Sequence, residues 1–278
     1  MLNTIKIQCP AKINLTLKIT GKRDDGFHNL DSIMQTISLF DYLTISAEPS
    51  EKTEIILSGT SDEIPYNEKN LVYKAATLFL ETTKIKSDYR ISIFIEKNIP
   101  VAAGLAGGST DAAGTLYGLN KLFKEPLTRK QLHELCSQLG SDLNLCLEGG
   151  RQKTSGRGEI LEPLPFEDFD VSLIKPVNLG ISAKEAYTKF SRKIENTNPT
   201  PKSKIQGWGI SRSDFVNDLE WAVIDDYKEL QHIKEKYPDS VMSGSGSTYF
   251  GLGMTFENED GYWIKNGLKA IPHGVKEI

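Results

Sequence analysis

The chain has 278 residues, 38% of them hydrophobic, and a formal net charge of −4. That is enough apolar material for one large domain or two ordinary ones. No run of Lys and Arg interleaved with aromatics occurs, which argues against a nucleic-acid partner, although a mildly acidic chain can still hold a locally cationic site.

The three cysteines, Cys9, Cys136 and Cys146, are odd in number, widely spaced and form no Cys-x-x-Cys. They read as packing residues in a reducing compartment, without a disulfide framework or zinc site. The first residues, "MLNTIKIQCPAKINL", contain no continuous apolar stretch of the signal-peptide kind. No apolar run approaches the ~18 residues that span a bilayer. The expectation is a soluble, cytoplasmic protein with no membrane partner.

In chain order, "TIKIQC" alternates Ile5, Ile7 and Cys9 with Lys6 and Gln8, and "AKINLTLKI" continues the alternation from Ala11 to Ile19. A period of two predicts strand, with Pro10 marking an edge or a break. It also predicts that Lys12 and Asn14 share one face, away from the core. "GKRDDGFH" reads as a turn. A helix follows from Leu71, with Leu71, Ala75, Leu78 and Phe79 at helical spacing, then a strand carrying Ile91, Ile93 and Ile95 on one face. Leu116, Leu119, Leu122 and Phe123 predict a second helix. Thr128 predicts the N-cap of a third, with Leu132, Leu135, Cys136 and Leu139 on its stripe and Gly140 as a C′ residue. "LNLCL" after Asp142 alternates and reads as a strand.

Near Gly149 the chain becomes rich in Gly, Pro and charge, a candidate junction between domains 1–152 and 153–278. A strand at Val171 to Ile174, a helix at Ala183 to Phe190, a polar loop over 195–204 and a long helix from Ser213 to Tyr237 are expected beyond it. Strands and helices mix without regular βαβ alternation, which favours α+β.

The stretch "IPVAAGLAGGSTDAAGTL" places Gly104, Gly107 and Gly108 between a strand and a helix. A helix N-terminus attracts anions. Residues without Cβ let backbone N–H groups close around phosphate oxygens, and Ser109 and Thr110 add hydroxyls. The stretch lacks both the G-K-[S/T] ending of a P-loop and the G-x-G-x-x-G order of a dinucleotide fold, so Lys97 just upstream is the candidate cation. A second glycine cluster, Met242 to Phe250, is open between a hairpin turn and a ligand loop.

Phosphoryl transfer needs positioning, charge neutralisation and a partner for the attacking hydroxyl. Asp142 at an element boundary and Lys12 on its strand are candidates for that pair. From these residues alone, a turn-capping Asp142 and a solvated Lys12 are the favoured reading.

The glycine stretch resembles the P-x-x-x-G-L-x-[S/G]-[S/G]-x-A-x loop of the GHMP kinases, which handle galactose, homoserine, mevalonate and phosphomevalonate. "PAKINLTLKITGKRDDGFHNLDS" is similar to the N-terminal signature of those members that phosphorylate a cytidine diphosphate-linked polyol in the non-mevalonate route to isoprenoids. "LGSDLNLCL", "GRGEILEPL", "NDLEW" and "MSGSGSTYFGL" follow in the same order, so the resemblance covers nearly the whole chain. It implies a two-domain GHMP kinase fold of the α+β class. The N-terminal domain would be like domain 2 of ribosomal protein S5, and the C-terminal domain ferredoxin-like, with the last residues packed back on the first domain. It implies ATP as co-substrate and Mg²⁺, with Ser109 the best candidate ligand, in a monomer or homodimer.

Carried over residue by residue, the resemblance implies Lys12 and Asp142 as the catalytic pair. It implies Asn14, Phe27, His28 and Tyr187 at the cytidine substrate, with the base between Phe27 and Tyr187. For ATP it implies Asn70, Lys97, Pro100, Ala102, Ala103, Gly104, Leu105, Ala106, Gly107, Gly108, Ser109 and Thr110. The chain departs from the family pattern where Asn144 and Leu145 replace the usual Pro-Phe, where Gln152 and Lys153 replace small residues, and where Phe27 stands for a common tyrosine.

Two other functions fit parts of the sequence. A GHMP kinase for homoserine, a sugar or mevalonate would share the glycine loop but has no need of "GFHNLDS" and Tyr187. A non-catalytic ligand sensor of the same fold would be expected to lack Asp142.

Overall fold

Strand β1 (Asn3–Lys22) and strand β2 (His28–Pro49) form a long antiparallel hairpin. Its turn is closed by Arg23 N–H to the Phe27 carbonyl, 2.8 Å, and Gly26 N–H to the Arg23 carbonyl, 3.1 Å. The structure, a computed structural model, describes residues 3–85, 87–197 and 215–278. Pro10 does not end the strand. The register shifts there instead, from Pro10↔Phe40 to Ala11↔Ile37, leaving two extra residues on β2, as expected where a ladder donor is missing. The irregularity has a large consequence. Ile5, Ile7 and Cys9 pack with the helices of the first half, whereas Ala11, Ile13 and Leu15 pack with the second sheet. Both faces of β1 are therefore covered beyond Pro10, and Lys12 and Asn14 are buried, 3% and 1% exposed, on a face expected to lie outside the core.

The first half continues with β3 (Glu54–Gly59), α1 (Leu71–Thr83), β4 (Tyr89–Glu96), α2 (Gly107–Leu122), α3 (Arg129–Leu139) and α4 (Leu143–Glu148). The second half contains β5 (Arg151–Ser155), β6 (Ile160–Pro163), β7 (Asp170–Pro176), α5 (Ala183–Thr197), α6 (Asp218–Val223), α7 (Lys228–Lys236), β8 (Val241–Met242), β9 (Tyr249–Leu252), β10 (Tyr262–Lys269) and β11 (Lys276–Glu277). A seven-stranded sheet runs β11-β1-β2-β4-β3, with β5 on the other part of β2 and β6 on β5, and a four-stranded sheet runs β10-β7-β9-β8. The expected boundary between 152 and 153 falls inside β5, which pairs with β2 through Ser32↔Thr154 to Gln35↔Arg151. β11 pairs with β1 at Ile7↔Glu277, which ties the last residues to the first sheet.

Helix α2 approaches β1 closely enough that a Cβ on Gly114 would lie 2.4 Å from Cys9 Sγ. This contact brings the start of α2 over the sheet beside Lys12. Thr128 caps α3 in a full capping box with Gln131, and Gly140 ends it in extended backbone, φ 172°, instead of the left-handed C′ geometry.

Two expected elements differ. "LNLCL" is helix α4, because Leu143, Asn144, Leu145, Cys146 and Leu147 are all buried. A segment covered on every side carries no periodic signature, and its alternation misleads. The long helix expected from Ser213 to Tyr237 begins outside the described residues, and its described part is divided. α6 passes into a 3₁₀ turn at Ile224–Asp226, and Tyr227 is extended before α7. Lys193 and Lys189 of α5 hold Asp225 and Asp226 at 2.6 and 2.9 Å, which fixes the break. In the expected polar loop, α5 runs on through Thr197, and 198–204 lie outside the described residues. Among the described residues no helix is long and apolar enough to cross a membrane.

Candidate active site

The loop before α2 is held in an unusual backbone shape. Ala102, Gly104 and Ala106 have φ of 49°, 73° and 60°, and left-handed residues in such loops build concavities lined by backbone N–H groups. Ala106 is the N-cap of α2 and has no side chain that can accept a hydrogen bond. The first-turn amides therefore keep their N–H groups for an external anion. A Cβ on Gly104 would meet the Ser243 carbonyl oxygen at 2.0 Å, so only glycine fits there, while a Cβ on Gly108 would meet nothing within 4 Å and would project into open space.

The second glycine cluster is a turn that reaches the first loop. It is the turn between β8 and β9, and it also clamps the first loop: Ser243 Oγ donates to the Gly104 carbonyl at 3.0 Å, and Thr248 N–H to the Ala103 carbonyl at 3.3 Å. Asn217 Nδ2 holds the turn through the Met242 and Gly244 carbonyls, at 2.6 and 2.8 Å.

Beside the loop lies a cavity of about 980 Å³. Lys12 Nζ donates to Asn14 Oδ1 at 2.6 Å and to the Gly104 carbonyl at 2.9 Å, and stands 3.6 Å from Asp142 Oδ2. Asn14 is oriented in turn, since its Nδ2 donates to Ser32 Oγ at 3.0 Å and Ser32 donates to the Thr16 carbonyl. The lysine side chain is 4% exposed and that of Asp142 is 30% exposed. A fixed cation thus meets a carboxylate that solvent and ligand can reach. Asp142 sits at the N-terminus of α4 and makes no side-chain cap bond there, which leaves its oxygens for other partners.

Lys97 does not offer a free charge. Its ammonium is buried beneath the loop between Asp41 and Asp111, the latter at 3.0 Å. Asp41 also accepts the backbone N–H groups of Asn98 and Ile99, at 2.6 and 2.8 Å. A Cβ on Gly107 would come 2.7 Å from Lys97 Nζ, so the lysine supports the start of α2 from below. Asp111 has the weaker set of partners, with Oδ1 buried and unbonded. Burial, aided by the charge of Asp41 and opposed by Lys97, pushes its carboxyl up to about 8. The folded protein then holds a proton that the unfolded chain releases near pH ~4, so folding stability falls as pH rises between those values. Asp111→Asn is expected to flatten this decline, read as a smaller loss of Tm between pH 5 and pH 8 than in the parent protein.

Asn70 caps α1, accepting from Val72 N–H at 2.9 Å and donating to the Pro65 carbonyl at 2.7 Å, and it lines the cavity. Thr110, expected on the phosphates, does not line it: the residue is wholly buried, because the helical turn that points Ser109 outward points Thr110 into the core. The remaining expected positions, from Pro100 to Ser109, lie along the wall.

At the far end Tyr187 stacks on His28, with centroids 5.2 Å apart and planes 16° from parallel, while Phe27 is half exposed with the Arg157 guanidinium 4.9 Å from its ring centroid. In this structure Tyr187 faces His28 rather than Phe27. Partial burial and the charge of Lys22 pull the His28 imidazole below its ordinary value, favouring the neutral ring. A neutral imidazole offers one donor and one acceptor, and Nε2 lies 3.1 Å from Ser191 Oγ. Arg157 is a wall residue that sequence reasoning missed. "GRGE" between two glycines was the available signal for Arg157.

The GHMP kinases N terminal domain family matches residues 70–150. The chain is 38% identical to the 4-diphosphocytidyl-2-C-methyl-D-erythritol kinase of Clostridium tetani, over 89% of this chain and 90% of the relative. It is also 38% identical to the protein of the same name from Prochlorococcus marinus, over 97% and 95%. A solved structure, of a 4-(cytidine 5′-diphospho)-2C-methyl-D-erythritol kinase, matches with a TM-score of 0.71 at 26% identity, over 96% of this chain and 99% of that one.

Proposed function

The chain belongs to the 4-diphosphocytidyl-2-C-methyl-D-erythritol kinase family of the GHMP kinases, and from that premise we propose how its own residues carry out the transfer. The reaction is ATP-dependent phosphorylation of 4-diphosphocytidyl-2-C-methyl-D-erythritol in isoprenoid precursor biosynthesis, with the C2 hydroxyl of the methylerythritol as acceptor. The observation that carries the assignment of roles is the approach of Lys12 Nζ to Asp142 Oδ2, 3.6 Å, beside a loop whose amides lack side-chain partners.

The ATP phosphates lie along Pro100 to Ser109, against the N–H groups that open α2. Asp142 takes the proton of the C2 hydroxyl as that oxygen bonds to the γ-phosphorus. The bond from phosphorus to the β,γ-bridging oxygen breaks, and ADP leaves with the electron pair. Lys12 offsets the charge on the transferring group, aimed by its bonds to Asn14 and Gly104. Asn14 holds the acceptor near the pair. Phe27, Tyr187 and His28 receive the cytosine, the aromatic rings by stacking and the His28 imidazole also by its ring nitrogens.

A hard cation such as Mg²⁺ takes most of its ligands from phosphates and water. The Ser109 hydroxyl, on the cavity wall, is the oxygen that best fits it. When bound, it neutralises charge on the β- and γ-phosphates.

ADP release, measured with 4-diphosphocytidyl-2-C-methyl-D-erythritol, homoserine, galactose and mevalonate in turn, tests the function. Release is expected with the first alone, and release with any other acceptor but not with it overturns the reading. Phe27→Ala and Tyr187→Ala are each expected to weaken substrate binding by about 1–3 kcal/mol, the range for a lost base stack, and to leave the ATP KM unchanged. Calorimetric titration of both variants checks this, and unaltered binding in both removes the aromatic pair from base recognition.

A further inference from the structure

Asp142 stands at the head of a helix of only six residues. So short a helix has little stability of its own, and what holds α4 also holds Asp142. Some of its ties come from the last residues, where Gly274 N–H meets the Glu148 carbonyl at 3.0 Å and Val275 N–H the Cys146 carbonyl at 2.9 Å, and its side-chain ties come from α3, which lies alongside it. Arg129 Nε bonds Glu148 Oε1 at 2.8 Å, and Arg129 NH2 bonds the Leu147 carbonyl at 2.8 Å. One turn along α3, His133 reaches both ends of the helix: Nε2 lies 2.5 Å from Glu148 Oε1, and Nδ1 lies 3.1 Å from Asn144 Oδ1.

The protonation state of His133 follows from its partners. Asn144 Nδ2 lies 2.9 Å from the Glu159 carbonyl, which only accepts, and 2.9 Å from Ser137 Oγ. Ser137 gives its own proton to the His133 carbonyl at 2.9 Å. The Asn144 amide is thereby fixed with its oxygen toward His133. Nδ1 then faces one acceptor and Nε2 a carboxylate, and both nitrogens carry protons only in the imidazolium. A neutral ring must release either Asn144 or Glu148.

We propose that His133 is a positioning residue for the phosphoryl transfer: as an imidazolium it pins both ends of α4, through Asn144 and Glu148, and its deprotonation on the alkaline side loosens the helix that carries Asp142. The proposal rests on the reading of Asp142 as the base.

The surrounding charges favour the imidazolium. The hydrogen bond to Glu148 raises the His133 value above its ordinary one, with Asn144 and the Glu148 charge adding to it, against partial burial and the Arg129 cation. The hydrogen bonds from His133 and Arg129, against partial burial, hold Glu148 down to about 2. Glu159, just before β6, turns its carboxylate to the Arg157 backbone N–H at 2.6 Å instead of to the ring. A cavity of about 400 Å³ beside His133, Asn144 and Glu148 admits solvent, so the ring can titrate in the folded protein. The sign is that of a raised base: the tie is complete below the ordinary histidine value and is lost as pH rises through the raised one.

The test is kcat against pH, with ATP and 4-diphosphocytidyl-2-C-methyl-D-erythritol, for the parent protein, Glu148→Gln and His133→Gln, each checked for fold by circular dichroism. Glu148→Gln keeps an acceptor and removes a charge, so its alkaline limb is expected to move down by about one pH unit, with kcat on the acid plateau within about twofold. His133→Gln is expected to lower kcat about ten- to a hundredfold through misplacement of Asp142, with the ATP KM within about twofold. Amide exchange over 143–148, corrected for its intrinsic pH dependence, should quicken with pH through the same limb in the parent protein and show no such step in His133→Gln. A limb unmoved in Glu148→Gln, a full kcat in His133→Gln, or exchange protection that ignores His133 overturns the proposal. A parent protein that transfers no phosphate to this acceptor refutes the assigned activity instead, and the exchange measurement still decides the role of His133.

Discussion

Asp142→Asn is expected to lower kcat by about 10²–10⁴-fold, the range for a lost general base, and to leave ATP affinity within about twofold. The substitution keeps the shape of the side chain and removes its capacity to take a proton. Asp142 reaches the protein through its ion pair with Lys12 and makes no side-chain cap bond in α4, so the fold loses little. The carboxylate is 30% exposed on the cavity wall, while the loop that would hold the triphosphate is clamped from elsewhere, by Ser243 and Thr248. The expected signature is a fall in kcat without a matching change in the ATP dissociation constant from calorimetry. An equal loss of both would assign Asp142 a structural role.

Lys12→Ala is expected to act on rate and stability together. The ammonium is buried and fixed by Asn14 Oδ1 and the Gly104 carbonyl. Its removal takes away a preorganised charge, worth about 10²–10³-fold in kcat. It also withdraws the ammonium from Asn14 Oδ1, a buried acceptor, at a cost of about 1–3 kcal/mol in stability. The Gly104 carbonyl suffers less, because Ser243 Oγ also donates to it. Lys12→Arg is expected to recover little, since a planar fork cannot meet partners arranged around a compact ammonium. A rate for Lys12→Ala within twofold of the parent protein would remove Lys12 from the mechanism.

How much of this could be read from the sequence depends on the range of the interactions. The glycine loop was legible because its requirements are local: Gly104 has a positive φ and faces a carbonyl, and Gly108 opens onto the cavity. The alternation around Lys12 and Asn14 correctly put them on one face. That this face is buried could not be seen, because the switch of sides at Pro10 depends on two extra residues in β2 and on a second sheet formed from far along the chain. Lys97 was read as a free cation for the same reason. Asp41, which helps to neutralise it, lies 56 residues away in sequence. α4 was hidden by the burial of Leu143 to Leu147, whereas the phase of α2 already separated Ser109 from Thr110.

The account turns on an alcohol placed between Asp142 and a nucleotide held by the glycine loop. A crystal structure with 4-diphosphocytidyl-2-C-methyl-D-erythritol and a non-hydrolysable ATP analogue measures this directly. The C2 hydroxyl oxygen should lie within hydrogen-bond reach of Asp142 Oδ2, about 2.6–3.2 Å, with the γ-phosphate on its far side and the triphosphate against the amides of Gly107 and Gly108. A C2 hydroxyl directed away from Asp142, or a triphosphate bound elsewhere than this loop, would contradict it.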